Sequence, residues 1–134
     1  MKFTAGVVLF LLGIVVGSLI NSDLAAQQQR AIDITRLMKK DLEGCEGKEV
    51  LVSLISAGPG TSGYHFHPGE SFTYILEGTQ TREAAGEPTT TLEPGGFIYD
   101  GPMQVHRTEN TTPLKLLIVR VLEKGKPETI RSEQ

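Results

Sequence analysis

His65 and His67 stand two residues apart in the stretch Gly63-Tyr64-His65-Phe66-His67-Pro68-Gly69-Glu70. On an extended chain, residues i and i+2 share one face of a sheet. Their Cα atoms would then sit roughly 6.6 Å apart at about 3.3 Å of rise per residue. That gap lets both imidazoles lean onto one metal ion, with bonds of about 2.0–2.1 Å. The third histidine of the chain, His106, alternates with Gln104 and Thr108 in a second extended run. Glu70 is the nearest carboxylate, a candidate fourth ligand and the one candidate general base. Strand parity opposes it, because alternation from His65 and His67 puts Ser71 on the inward face. A bulge at Pro68-Gly69 would turn Glu70 inward. Without one, the site is three histidines plus water, with Ser71 beside it.

The donor set bounds the cofactor to one divalent transition metal ion. Imidazole-rich sites suit Zn, Fe, Ni or Cu, and a carboxylate with open positions favours Fe, Mn or Ni. Three histidines alone make Zn or Fe the first expectation. At its open positions such an ion polarises a bound oxygen, or, as iron, binds dioxygen.

The elements that would position these groups are short strands. Phe72 to Leu76 is aromatic and β-branched and ends at Gly78. Glu49 to Ser56 is apolar on both faces, so it is central or well covered. Thr79 to Glu83 and Pro88 to Leu92 form a hairpin around Ala84-Ala85-Gly86-Glu87. Phe97 to Tyr99, Gln104 to Thr108 and a long Leu114 to Leu122 run complete the set. Strands at this spacing, with turn signals between them, mean an all-β sandwich or barrel. Ile32 to Met38 reads as helix through Ile34, Leu37 and Met38, and as strand through Ile32-Asp33-Ile34-Thr35.

The 134 residues suffice for one domain with a core. A formal charge of −3 and the lack of a basic patch argue against nucleic acid as a partner. The one cysteine, Cys45, excludes an internal disulfide. It reads as a small apolar side chain or an intermolecular thiol. Arg120 is the oddest charge, because it shares the parity of Leu116 and Ile118 in an apolar strand and needs a partner or a wet cavity. Tyr74 and Tyr99 read as core or rim aromatics with bonded hydroxyls, Tyr99 also as a substrate-orienting group.

Lys2 followed by an uncharged run from Ala5 to Ile20 reads as a signal peptide or N-terminal membrane anchor helix over residues 1–26. Residues 27–41 then form a linker or leading segment and 42–134 the folded domain. Either form places that domain beyond the membrane, in the periplasm or on the extracytoplasmic face, with membrane contact only through residues 1–20.

The pattern resembles the cupin superfamily, whose fold is a small jelly-roll barrel. In the first cupin motif His65 and His67 match the histidines and Gly78 the closing glycine, with Gly60 offset by one from the opening glycine. In the second, Gly95, His106 and Asn110 fall in register, and Gly101-Pro102-Met103 replaces Pro-x-Gly. The family's carboxylate ligand would stand at Ser71. The resemblance covers about Leu42 to Pro127. It implies metal ligation by His65, His67 and His106, a small-molecule ligand or substrate, and a homodimer through outer strands. It also leaves two functions open: a metal-dependent oxygenase, isomerase or hydrolase, or a non-catalytic module holding a small ligand or metal.

Overall fold

The computed structural model describes residues 31–133. The expected signal or anchor segment, 1–26, lies outside them. The described chain is all β, with eleven strands: β1 Ile32–Asp41, β2 Lys48–Ala57, β3 Gly60–Thr61, β4 His65–Phe66, β5 Glu70–Glu77, β6 Gln80–Ala84, β7 Thr90–Leu92, β8 Phe97–Asp100, β9 His106–Asn110, β10 Leu114–Glu123 and β11 Ile130–Arg131. They form two antiparallel sheets. The first has the order β1-β2-β10-β5-β8, and the second β11-β4-β9-β6-β7 with β3 alongside β9. This is the expected jelly-roll architecture. No described helix is long and apolar enough to cross a membrane.

Alternation builds the lumen between the sheets. Along β10 the buried positions are Leu114, Leu116, Ile118, Arg120 and Leu122, and along β5 they are Ser71, Thr73 and Ile75. Ile75, Leu92, Leu114, Leu116 and Ile118 form the core, with Ile55 and Ile98 packed against it. Each such side chain contributes about 1.5–3 kcal/mol when fully buried. Two glycines let β5 lie this close to β10. A Cβ at Gly69 would run into the Val121 carbonyl, and Gly78 combines a φ of 81° with a carbonyl of Pro113 where its Cβ would stand.

β1 resolves the segment that sequence left between helix and strand. Its pairing with β2 slips between Arg36 and Met38. This bulge breaks the period-two pattern and produces the helix-like spacing of Ile34, Leu37 and Met38. The sheet therefore begins inside the stretch assigned to a leading segment. Cys45 is exposed in the β1–β2 turn rather than packed as a small apolar group.

Candidate metal centre

His65 on β4 and His106 on β9 are directly opposite each other in an antiparallel pair, with ring centroids 4.4 Å apart. His67, just beyond β4, completes a triangle at 5.2 Å from each. One ring nitrogen from each residue lies within 4.8 Å of the others, a spread that small ring movements would close to the roughly 3.4 Å between tetrahedral ligands bonded at about 2.1 Å. The three histidines singled out by spacing are thus one cluster.

Each ring is held by its backbone. His65 Nδ1–H donates to the Gly63 carbonyl at 3.0 Å, His67 Nδ1–H to the Glu128 carbonyl at 2.8 Å, and His106 Nδ1–H to the Gln104 carbonyl at 3.0 Å. A carbonyl oxygen only accepts, so Nδ1 carries the proton in all three rings. Nε2 is then left with its lone pair, as metal ligation requires. Burial also keeps the His65 and His67 rings neutral. It pulls His65 below its ordinary value, and burial together with the Arg120 charge pulls His67 down to about 3. Three imidazoles anchored alike through Nδ1 fit a divalent transition ion.

Glu70 stands apart from the cluster. Its side chain is exposed, whereas Ser71 is fully buried on the inward face. Parity prevails at this point because β5 runs in register from Glu70, with no bulge between Pro68-Gly69 and Ser71 to turn the carboxylate in. Ser71 Oγ is buried without a hydrogen-bond partner. Tyr74 and Tyr99 are exposed on the outer face of the first sheet, away from the lumen.

Beside the histidines runs a row that sequence reading did not assemble: Leu51, Arg120, Ser71 and Asp100 are register partners across β2, β10, β5 and β8. Arg120 Nη1 donates to Glu128 at 2.9 Å, and its Nε is buried without a partner. Burial draws this guanidinium below its usual value, with Glu128 opposing the shift. From the second sheet, Arg82 Nε donates to Asp100 Oδ1 at 2.7 Å and Nη1 to Glu87 at 2.7 Å. Burial works against the Arg82 charge, but Glu87 and Asp100 outweigh it and raise its pKa. The Asp100 carboxylate is 3.9 Å from His106 Nδ1, too far for a hydrogen bond. Gln104 bonds Glu87 and accepts from the Gly101 N–H at 3.2 Å, so it fixes the turn that presents His106. The alternation of Gln80, Arg82 and Ala84 on β6 was the available signal for Arg82.

Two loops close the site. Met103 N–H donates to the His67 carbonyl at 2.8 Å, and Met103 holds a φ of 64° where the second motif has glycine. The segment after β10 places Glu128 against Arg36 and Arg120 and β11 against β4. The cavity so enclosed is about 200 Å³. Polar groups of His65, His67, Arg82, Asp100 and Arg120 line it, and Ile55, Leu114, Leu116 and Ile118 line the remainder. Ile32 and Ile34 also line it yet are 54% and 58% exposed, which marks the mouth.

A family model described as "Cupin domain" matches residues 52–120. No curated protein matches the chain. The DMSP lyase DddQ from Ruegeria pomeroyi aligns with a TM-score of 0.64 at 17% identity, over 81% of this chain and 54% of that one. A structure of the DMSP lyases RdDddP and RnDddQII aligns at 0.58 and 21%, over 63% and 44%. The chain therefore spans about half the length of these lyases. A cupin-like protein from Thermotoga maritima aligns at 0.60 and 18%, over 77% and 78%. At these identities the likeness is one of fold. The motif histidines, the two-sheet barrel and the match over residues 52–120 agree, and the chain belongs to the cupin family.

Proposed function

We propose that this cupin binds one divalent transition metal ion through His65, His67 and His106 and acts on a small molecule in its lumen. The observation that carries the reading is the shared Nδ1–H to carbonyl anchoring, which leaves Nε2 uncommitted on three rings whose nitrogens gather within 4.8 Å. When bound, the ion would supply a Lewis-acid or redox centre at its open positions. The chain's own residues hold and orient: the cavity admits a compact ligand past Ile32 and Ile34, and the apolar wall excludes water from its far side. Two relatives in fold are DMSP lyase structures, in keeping with small-molecule chemistry. The apolar run at 5–20 supports work on the far side of a membrane. Exposed Tyr74, Leu76, Phe97 and Tyr99 on the outer sheet face support a homodimer.

A non-catalytic metal or ligand carrier is favoured by one observation. Each carboxylate near the cluster is committed, Asp100 to Arg82 and Glu128 to Arg36 and Arg120, while Glu70 faces outward. An enzyme here would have no uncommitted protein carboxylate beside the cluster to serve as base.

Elemental analysis of the purified protein tests the site. The expected result is near one Zn or Fe per chain, and His65→Ala/His67→Ala should lose more than the roughly 10–100-fold that removing an outer partner costs. Folded wild-type protein that refuses Fe, Zn, Mn, Ni and Cu would end the metal reading.

A further inference from the structure

The charges around the cluster cancel without leaving any for a metal. Arg36 and Arg120 share Glu128, and Arg82 pairs with Asp100 and Glu87. Of these acids, Glu87 and Glu128 face cations at the rim and Asp100 is occupied by Arg82. Three imidazoles bring no negative charge. A divalent ion there would be uncompensated in a buried site, a costly arrangement.

Among the described residues, three buried donors near the cluster lack a hydrogen-bond partner; Arg82 Nη2 lies 2.6 Å from its counter-charge on Asp100, and the other two lie on the inward face of adjacent strands. These two are Arg120 Nε and Ser71 Oγ, on residues that are register partners in the β10–β5 pair. Arg120 is more than nine-tenths buried and lines the cavity. Buried polar groups left unmatched in this way call for a missing partner. The rest of the wall, Ile55, Leu114, Leu116 and Ile118, is apolar. The cavity volume of about 200 Å³ corresponds to only about seven water molecules at roughly 30 Å³ each.

We infer that Arg120 and Ser71 form a carboxylate subsite, and that the ligand class is a short-chain organic acid whose apolar tail lies toward Leu114 and Leu116. The ligand's own carboxylate takes the place where the cupin motif has a protein carboxylate and this chain has Ser71. This inference rests on the metal reading, and it adds the charge and size of what the lumen accepts. Arg120 Nε donates to one carboxylate oxygen and Ser71 Oγ to the other, so the acid binds ionised. A neutral isostere lacks the charge and brings an unwanted donor.

The test compares butanoate with butanamide by calorimetry on the full protein, with metal content measured on the same samples. Butanoate is expected to bind at least roughly tenfold tighter, the scale of a hydrogen bond to a charged group. Arg120→Gln should erase that preference while the histidines keep their metal. Ser71→Glu should keep metal and exclude butanoate, because it supplies the carboxylate from the protein. Equal binding of the two probes by wild type, or undiminished butanoate binding in Ser71→Glu, would overturn the inference and leave the metal site standing. Butanoate preference in protein that takes up no metal would instead overturn the metal reading and retain the subsite.

Discussion

Along β10 the inward positions run Leu114, Leu116, Ile118 and Arg120, and the lumen changes character at the last step. On one side the wall belongs to the core cluster, where Leu116 and Ile118 pack with Ile75. On the other, Arg120 stands in a row with Ser71 and Asp100 and faces the histidines. The same strands and the same alternation make both ends. The apolar end is stabilised by area removed from water, which any side chains of suitable volume supply. The polar end is built from groups whose burial is costly, and some are matched to partners far off in sequence. Arg82 pairs with Asp100 at a separation of 18 residues, and His67 Nδ1 with the Glu128 carbonyl at 61. Stability and chemistry thus occupy opposite ends of one cavity.

Truncating the apolar end should cost stability and spare the metal. Leu116→Ala is expected to lower unfolding free energy by about 2–5 kcal/mol, with metal content per folded chain unchanged. Denaturant titration and elemental analysis of one preparation would show both. Loss of metal from a folded Leu116→Ala protein would mean that the two ends are not separable.

Acid should act on the polar end alone. His67 titrates near 3 when folded and near 6.5 when unfolded. Between those values the unfolded chain binds a proton that the folded ring refuses, so stability falls as pH drops through that window. His65 is lowered too and adds in the same direction. Carboxylates held down by arginine, such as Glu83 and Glu87, add their loss only below about 4.5. The melting temperature of metal-free protein should therefore decline from pH 6.5 to 4.5. His67→Asn should flatten that slope, whereas Leu116→Ala should leave its shape intact.

The smallest effect concerns Met103. A left-handed backbone costs a non-glycine residue about 1–2 kcal/mol, while glycine costs about 0.5–1 kcal/mol of extra chain entropy. Met103→Gly should stabilise the protein by about 1 kcal/mol or less, without weakening the N–H bond to His67. Destabilisation would show that the methionine side chain contributes at the lip of the polar end.

Sequence spacing carried the strands and the three histidines because both depend on local period. Alternation places His65 and Ser71 without any partner, and β10 reads as a strand throughout. Arg120 was visible as a charge with inward parity. Its partner Glu128 was not, since it lies in an irregular segment beyond the strand. Glu70 was drawn toward the site by its chemistry and kept out by parity, which the pairing of β5 with β10 enforces. Arg82 and Asp100 meet only because the second sheet folds over the first, and no spacing in the chain records that meeting. β1 was obscured by its own bulge.

The dependence of His67 on the Glu128 carbonyl has a consequence for how the protein is made. Synthesis runs from the N-terminus, so the histidine pair leaves the ribosome some sixty residues before the segment that orients one of them. Until that segment arrives, His67 is free to rotate and to present either nitrogen, and Arg120 lacks its counter-charge. The barrel strands can pair before the centre can grip an ion. Nascent chains, and chains clipped after Glu123 by a protease, would then share a defect: a recognisable sandwich with histidines that bind metal loosely and in the wrong tautomer. On the proposed metal reading, the late segment would delay tight capture of an ion until the fold around the histidines is closed.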